Sequence, residues 1–281
     1  MIGNKLTHGI GMFLLNVFFI VACFLALIPI LYTVSVSLNA EGSLLSSDFS
    51  FLPRHLTLAN YRSVFMEEPV MLWFSNTLLL VVATVALALC CAIPAAYVFS
   101  RWHFKGRKAM LKILLLLYSF PSILSMFAVY KLMSTLQLVN THIGLIIIYA
   151  GTMTVFAVWN MKGYFDTIPQ SIEEAAMIDG ATDAQTVMRI VLPLARPSII
   201  VSATMILNFV WNEYIFSINF LTGSRNMTLA SGLYSLQATE LSGSWPIFAA
   251  GSLIVSLPVL IIFFLSQKFM TSGLTAGGVK E

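Results

Sequence analysis

Residues 174–193 carry Glu174-Ala175-Ala176-Met177-Ile178-Asp179-Gly180 and, after nine further residues, Ile190-Val191-Leu192-Pro193. The stretch is charged and lies between two long apolar runs. In a chain that is 58% hydrophobic, it marks where the backbone meets water and another protein. It reads as two short helices about a sharp turn. The first covers 166–180, with Pro169 near its start, where a missing N–H costs little. Ser171 and Glu174 have capping-box spacing. Gly180 supplies the left-handed turn that a residue with a Cβ resists. Thr182 and Asp183 restart a second helix over 184–190, and Pro193 ends it. Ala175, Ala176 and Ala181 leave the face at the turn small, so another protein can approach closely.

Outward from this loop the chain is oily. Charged residues make up 10%, against about 25% in ordinary soluble domains, which places the chain in a membrane. A bilayer core needs roughly 20 apolar residues of helix. No charge occurs between Lys5 and Glu41, Glu68 and Arg101, Lys112 and Lys131, Lys131 and Lys162, or Glu240 and Lys268. Between Arg196 and Arg225 the one charge is Glu213. Six spans are expected, at about 11–36, 72–99, 112–133, 143–162, 199–221 and 246–266. Helices satisfy their own backbone groups in lipid, and the period-2 pattern of a membrane barrel is missing. The expected fold is an all-α membrane protein forming one transmembrane domain over 1–281, with a charged loop at 163–197 and a tail at 267–281.

An even span number puts both termini on one side. That side holds Lys5, Arg101, Lys105, Arg107, Lys108, Lys112, Lys162, Arg189, Arg196, Lys268 and Lys280. The other holds Arg54, Arg62, Lys131 and Arg225. The positive-inside rule therefore makes both termini and the 163–197 loop cytoplasmic. The basic cluster 101–108 reads as topology and anionic-lipid contact, so the net charge of +3 calls for no nucleic acid. The first apolar run is too long for a secretory signal and reads as a retained helix. Cys23, Cys90 and Cys91 all fall in spans, as small apolar filler. Outside, a Ser-rich stretch at 43–52 and Pro53 precede an amphipathic helix, Leu58 to Phe65, capped by Thr57. It suits a soluble partner on the outer face, or a plain connector.

The spacing of Glu174, Ala175, Ala176, Asp179, Gly180, Ala181, Ile190, Leu192 and Pro193 resembles the cytoplasmic signature of the membrane subunits of ATP-binding-cassette importers. The run Ile206-Leu207-Asn208-Phe209-Val210-Trp211-Asn212-Glu213-Tyr214 is similar to the fifth span of carbohydrate permeases. The tail from Gly273 to Lys280 is similar to the end of the second permease of maltose-type importers. The resemblance covers essentially the whole chain. It implies a type I importer permease fold in a bacterial cytoplasmic membrane, with the nine loop residues docking on an ATPase. It also implies a homologous sister permease, two copies of a cytoplasmic ATP-binding subunit and an extracytoplasmic solute-binding protein, set in membrane lipid. The expected cargo is an oligosaccharide, malto-oligosaccharide first.

The chain lacks a Gly-x-x-x-x-Gly-Lys-Ser/Thr loop and so cannot cradle ATP phosphates itself. The scattered histidines offer no metal site, and no catalytic constellation assembles. The expectation is a non-catalytic subunit with no cofactor of its own, ATP and Mg lying on the partner. Polar residues within spans are candidates for the path, because a charge at depth marks function by default. These are Asn208, Trp211, Asn212 and Glu213, with Ser119 and Ser122 beside a Pro121 kink, and more weakly Asn76 and Asn160. Amides and aromatic rings suit a sugar. The same residues would also serve as a polar clamp between helices. An ion-coupled carrier would need more ionisable residues in the spans than Glu213. A phosphate cargo such as glycerol phosphate would call for Arg or Lys in the path, and no basic residue lies well inside a span.

Overall fold

The computed structural model describes residues 3–40, 55–238 and 245–276. The Ser-rich stretch, Pro53, Arg54 and the tail from 277 onward lie outside the described residues. Every named element is helical: α1 (Gly3–Ser37), α2 (Ala59–Met66), α3 (Val70–Arg101), α4 (Arg107–Ser119), α5 (Ser122–Thr135), α6 (His142–Phe165), α7 (Gln170–Ile178), α8 (Asp183–Thr186), a π-turn (Val187–Val191), α9 (Leu192–Leu194), α10 (Arg196–Asn212), α11 (Ile215–Phe220), α12 (Leu229–Ala238) and α13 (Trp245–Ala276). An isolated bridge pairs Asn39 with Leu56.

Among the described residues, four helices are long and apolar enough to cross a membrane, within α1, α3, α6 and α13. They coincide with the first, second, fourth and sixth expected spans. The third expected span is not one helix. It breaks between α4 and α5 with a bend of 95°. Pro121 offers no N–H, and it pushes Phe120 into an extended conformation at φ −71°, ψ 130°. The fifth expected span also breaks. α10 stops at Asn212, Glu213 is extended at φ −74°, ψ 119°, and α11 starts afresh.

The second helix of the charged loop also departs from expectation. Pro193 does not end it. The chain passes from α8 through the π-turn into α9, and bends by 73° into α10. In the wide turn the Leu192 N–H reaches back to the Val187 carbonyl. This looser winding accommodates a proline that would clash with the preceding turn of a regular helix.

The chain divides into two compact units, residues 1–68 with 233–256, and residues 69–232 with 257–281. In the first, Asn60 donates to the carbonyls of Ser37 and Asn39, each at 2.9 Å, and fixes α2 to the end of α1. Leu58, not Thr57, caps α2, although the Thr57 hydroxyl accepts from the Ala59 N–H at 3.0 Å.

The second unit is built on α3, α6 and α10. Ala88, Ala92 and Ala96 are fully buried along one row of α3. Small residues four apart let helix backbones approach closely, which is how helices associate in lipid. On α6 the buried residues include Leu145, Tyr149, Met153, Ala157, Met161 and Phe165. Asn160 donates to Ser202 Oγ at 2.9 Å and ties α6 to α10. Asn76 donates to the carbonyls of Arg225 and Met227, at 2.8 and 2.9 Å. Both asparagines are therefore clamps. Cys23, Cys90 and Cys91 are exposed, which corrects their reading as filler.

Candidate functional site

Two places in the second unit carry the polar chemistry. The first is the charged loop. α7 begins after Pro169, with no side-chain cap, so the capping box expected at Ser171 and Glu174 does not form. The box belongs to α8. There the Thr182 hydroxyl accepts from the Gln185 N–H, and the Gln185 side chain accepts from the Thr182 N–H. Gly180 has φ +89°, as the turn requires, and a Cβ there would meet nothing within 4 Å.

The inner face of α7 is Glu173 and Ala176, both buried. Its outer side exposes Glu174 and Ala175 and, beyond them, Met177, Ile178, Asp179 and Gly180. Ile178 is 87% exposed and Met188, in the second arm, 65%. Among the described residues, little covers this isoleucine. Ala181, Ile190, Leu192 and Pro193 are half-buried.

Glu173 was not singled out by the sequence, and neither was its partner. Arg101, at the end of α3, places Nε 2.6 Å from Glu173 Oε1, with the two side chains 8% and 7% exposed. Tyr97, one turn earlier on α3, donates to Glu173 Oε2 at 2.8 Å. Arg101 thus leaves the lipid-facing role read for the basic cluster. The i, i+4 pairing of Tyr97 with Arg101 was the available signal.

The second place is a cavity of about 370 Å³ where the two broken spans meet α6. Its polar lining is Ser122 at the first break, Asn208, Asn212, Glu213 and Tyr214 at the second, and Tyr149 and Thr152 from α6. Non-helical backbone at membrane depth is tolerated where it lines a cavity or is buried in protein. Asn212 donates to the Asn208 carbonyl and side-chain oxygen, at 2.8 and 2.7 Å, so the pair shares one face as its spacing requires.

Glu213 is both lining and clamp. Its Oε1 accepts from the Phe216 N–H at 2.8 Å, which caps α11, and its Oε2 accepts from the Tyr149 hydroxyl. Two expected path residues are elsewhere. Trp211 is buried edge-on against Phe74, at 5.9 Å between ring centres. Ser119 spends its hydroxyl on the Leu115 carbonyl at 2.8 Å. Tyr149 and Thr152 were missed because no charge lies near them, the one basic residue of α6 being Lys162 in its last turn.

The family of binding-protein-dependent transport system inner membrane components matches residues 88–272. The chain belongs to this family. Among its relatives, the galactooligosaccharides transport system permease protein GanQ of Bacillus subtilis (strain 168) is 35% identical, over 93% of this chain and 94% of its own length. The maltose/maltodextrin transport system permease protein MalG of Yersinia pestis is also 35% identical, over 95% and 93%. A chain of a bacterial ABC transporter involved in the import of the acidic polysaccharide alginate shares the fold, with a TM-score of 0.80 at 24% identity, covering 93% of this chain and 96% of that one. The protein is a multi-pass inner-membrane permease of the carbohydrate ABC importers.

Proposed function

We propose that this permease is one half of the path of an ATP-driven oligosaccharide importer, with malto-oligosaccharide the leading cargo. It crosses the membrane six times, α4 with α5 making the third span and α10 with α11 the fifth, with both termini cytoplasmic. A homologous sister permease supplies the other half. Two copies of a cytoplasmic ATPase, which alone binds ATP and Mg, grip the two permeases' loops. A solute-binding protein delivers sugar outside. ATP binding closes the ATPases, the loops move with them, and the bundle changes from inward-open to outward-open.

The observation that carries this reading is the bare apolar side chains of α7 and the π-turn, Ile178 and Met188, exposed on the two arms that Gly180 joins. Glu174, Ala175, Asp179 and Gly180 form the docking surface there. Ala176, Ala181, Ile190, Leu192 and Pro193 support it from within. The cavity supports a neutral cargo, because its polar lining is hydroxyls, amides and one carboxylate. A phosphate cargo would want a cation among those groups.

The test is reconstitution with the partners. The permease should copurify with the ATPase subunit, and Ile178→Asp should abolish that association while the protein still folds. Persistence of the complex in the variant would sink the docking role. Orientation is tested separately: cysteines at Ser224 and Asp183 should react with an impermeant reagent from opposite sides. Labelling of both from outside would overturn the six-span map.

A further inference from the structure

The end of α3 and the start of α7 are far apart in sequence, yet Arg101 uses all three guanidinium nitrogens to hold them together. Nε pairs with Glu173. Nη1 donates to the Phe165 carbonyl at 2.9 Å, and Nη2 to the Ile168 carbonyl at 3.1 Å. These carbonyls lie at the end of α6 and in the link to α7. At a helix C-terminus the last carbonyls have spare acceptor capacity and the dipole favours a cation. Tyr97 adds a second grip on Glu173. Ser100 adds a separate tie to the end of α6, donating to Asp166 Oδ1 at 2.7 Å.

We propose that Arg101 is a positioning residue that fuses α3, the end of α6 and α7 into one rigid joint, so that displacement of α7 is delivered to the transmembrane helix α3. The proposal rests on the reading of α7 as the ATPase-docking helix. Its logic is one of direction. A buried ion pair contributes little net stability against well-packed apolar residues. It does fix geometry, because a planar fork meets its acceptors in one orientation, which an ammonium on a flexible stem does not reproduce. The second arm of the loop reaches α10 differently, through the π-turn and the 73° bend. Of the two routes from loop to membrane, the first is the stiff one.

The test uses the complete importer in proteoliposomes, with Arg101→Lys and Tyr97→Phe. Sugar taken up per ATP hydrolysed is measured beside the yield and thermal midpoint of the purified complex. Arg101→Lys keeps a charge for Glu173 but cannot also span the carbonyls of Phe165 and Ile168. The ATPases should stay bound and hydrolysis should persist, while uptake per ATP falls about tenfold. Tyr97→Phe should lower the same ratio by less. A purely structural role would reduce yield or midpoint and leave the ratio at its wild-type value, and that result would overturn the proposal. If Arg101→Lys fails to assemble, the ratio in Tyr97→Phe decides alone. A wild-type permease that binds no ATPase would instead refute the docking reading, a different outcome from a bound ATPase with an unchanged ratio.

Discussion

Glu173 and Glu213 are both carboxylates held inside the permease beside a helix break, yet the protein satisfies them in opposite ways. Glu173 faces a guanidinium and a phenol from α3. Glu213 faces backbone N–H groups of α11 and the Tyr149 hydroxyl, with no cation among the partners described. The first arrangement joins elements distant in sequence and resists being pulled apart. The second is local: the carboxylate folds back on the helix it caps and leaves the cavity lined with neutral donors. A charge answered by a charge makes a joint. A charge answered by dipoles makes a wall that a neutral solute can share.

The sharpest way to break this contrast is to remove the partner of each. Arg101→Ala should cost about 3–5 kcal/mol, because it leaves a buried carboxylate unpaired. Replacing both members by leucine or methionine should recover most of that loss. Unfolding in detergent measures both, and equal losses in the single and double variants would show that no ion pair is at stake.

Glu213→Ala should cost less, about 1–3 kcal/mol, since it orphans the hydroxyl of Tyr149, which is 1% exposed, and frees a cap. The same unfolding assay applies. A loss larger than that of Arg101→Ala would reverse the ranking of joint over wall.

Gly180→Leu should cost about 1–2 kcal/mol for placing a side chain at positive φ, since space is not the obstacle. It should lower uptake relative to hydrolysis. Normal sugar-stimulated hydrolysis and uptake would remove the turn from the coupling surface.

Asn208→Leu and Asn212→Leu should be the mildest for folding, because both side chains are exposed. Each should weaken transport by about 0.5–1.5 kcal/mol per lost sugar hydrogen bond. Complex yield read beside uptake separates this from a clamp: loss of the complex, with uptake falling only in proportion, would remove both residues from the path.

Much of the fold was legible because lipid imposes a coarse rule, and charge gaps report it. Gly180 was legible for a local reason, the need for positive φ. Pro121 announced its break, although not a bend of 95°. The break at Glu213 had no such signal. Neither Pro nor Gly occurs from Asn212 to Tyr214, and the interruption is held by the carboxylate capping the next helix. Glu173 and Glu174 are neighbours in sequence, and only packing decides which points inward. Arg101 was hidden among basic residues that satisfy the topology rule, and its acceptors lie more than sixty positions away.

The π-turn explains why the loop's spacing is informative at all. Each residue of a regular helix turns the chain by about 100°, so one residue added or lost between Asp183 and Met188 would swing Met188 by that angle around the arm that carries it. The wide turn takes up a residue that regular winding would not accommodate. The interval is therefore a ruler as much as a motif, and insertions there should be tolerated far less well than substitutions of the residues it spaces.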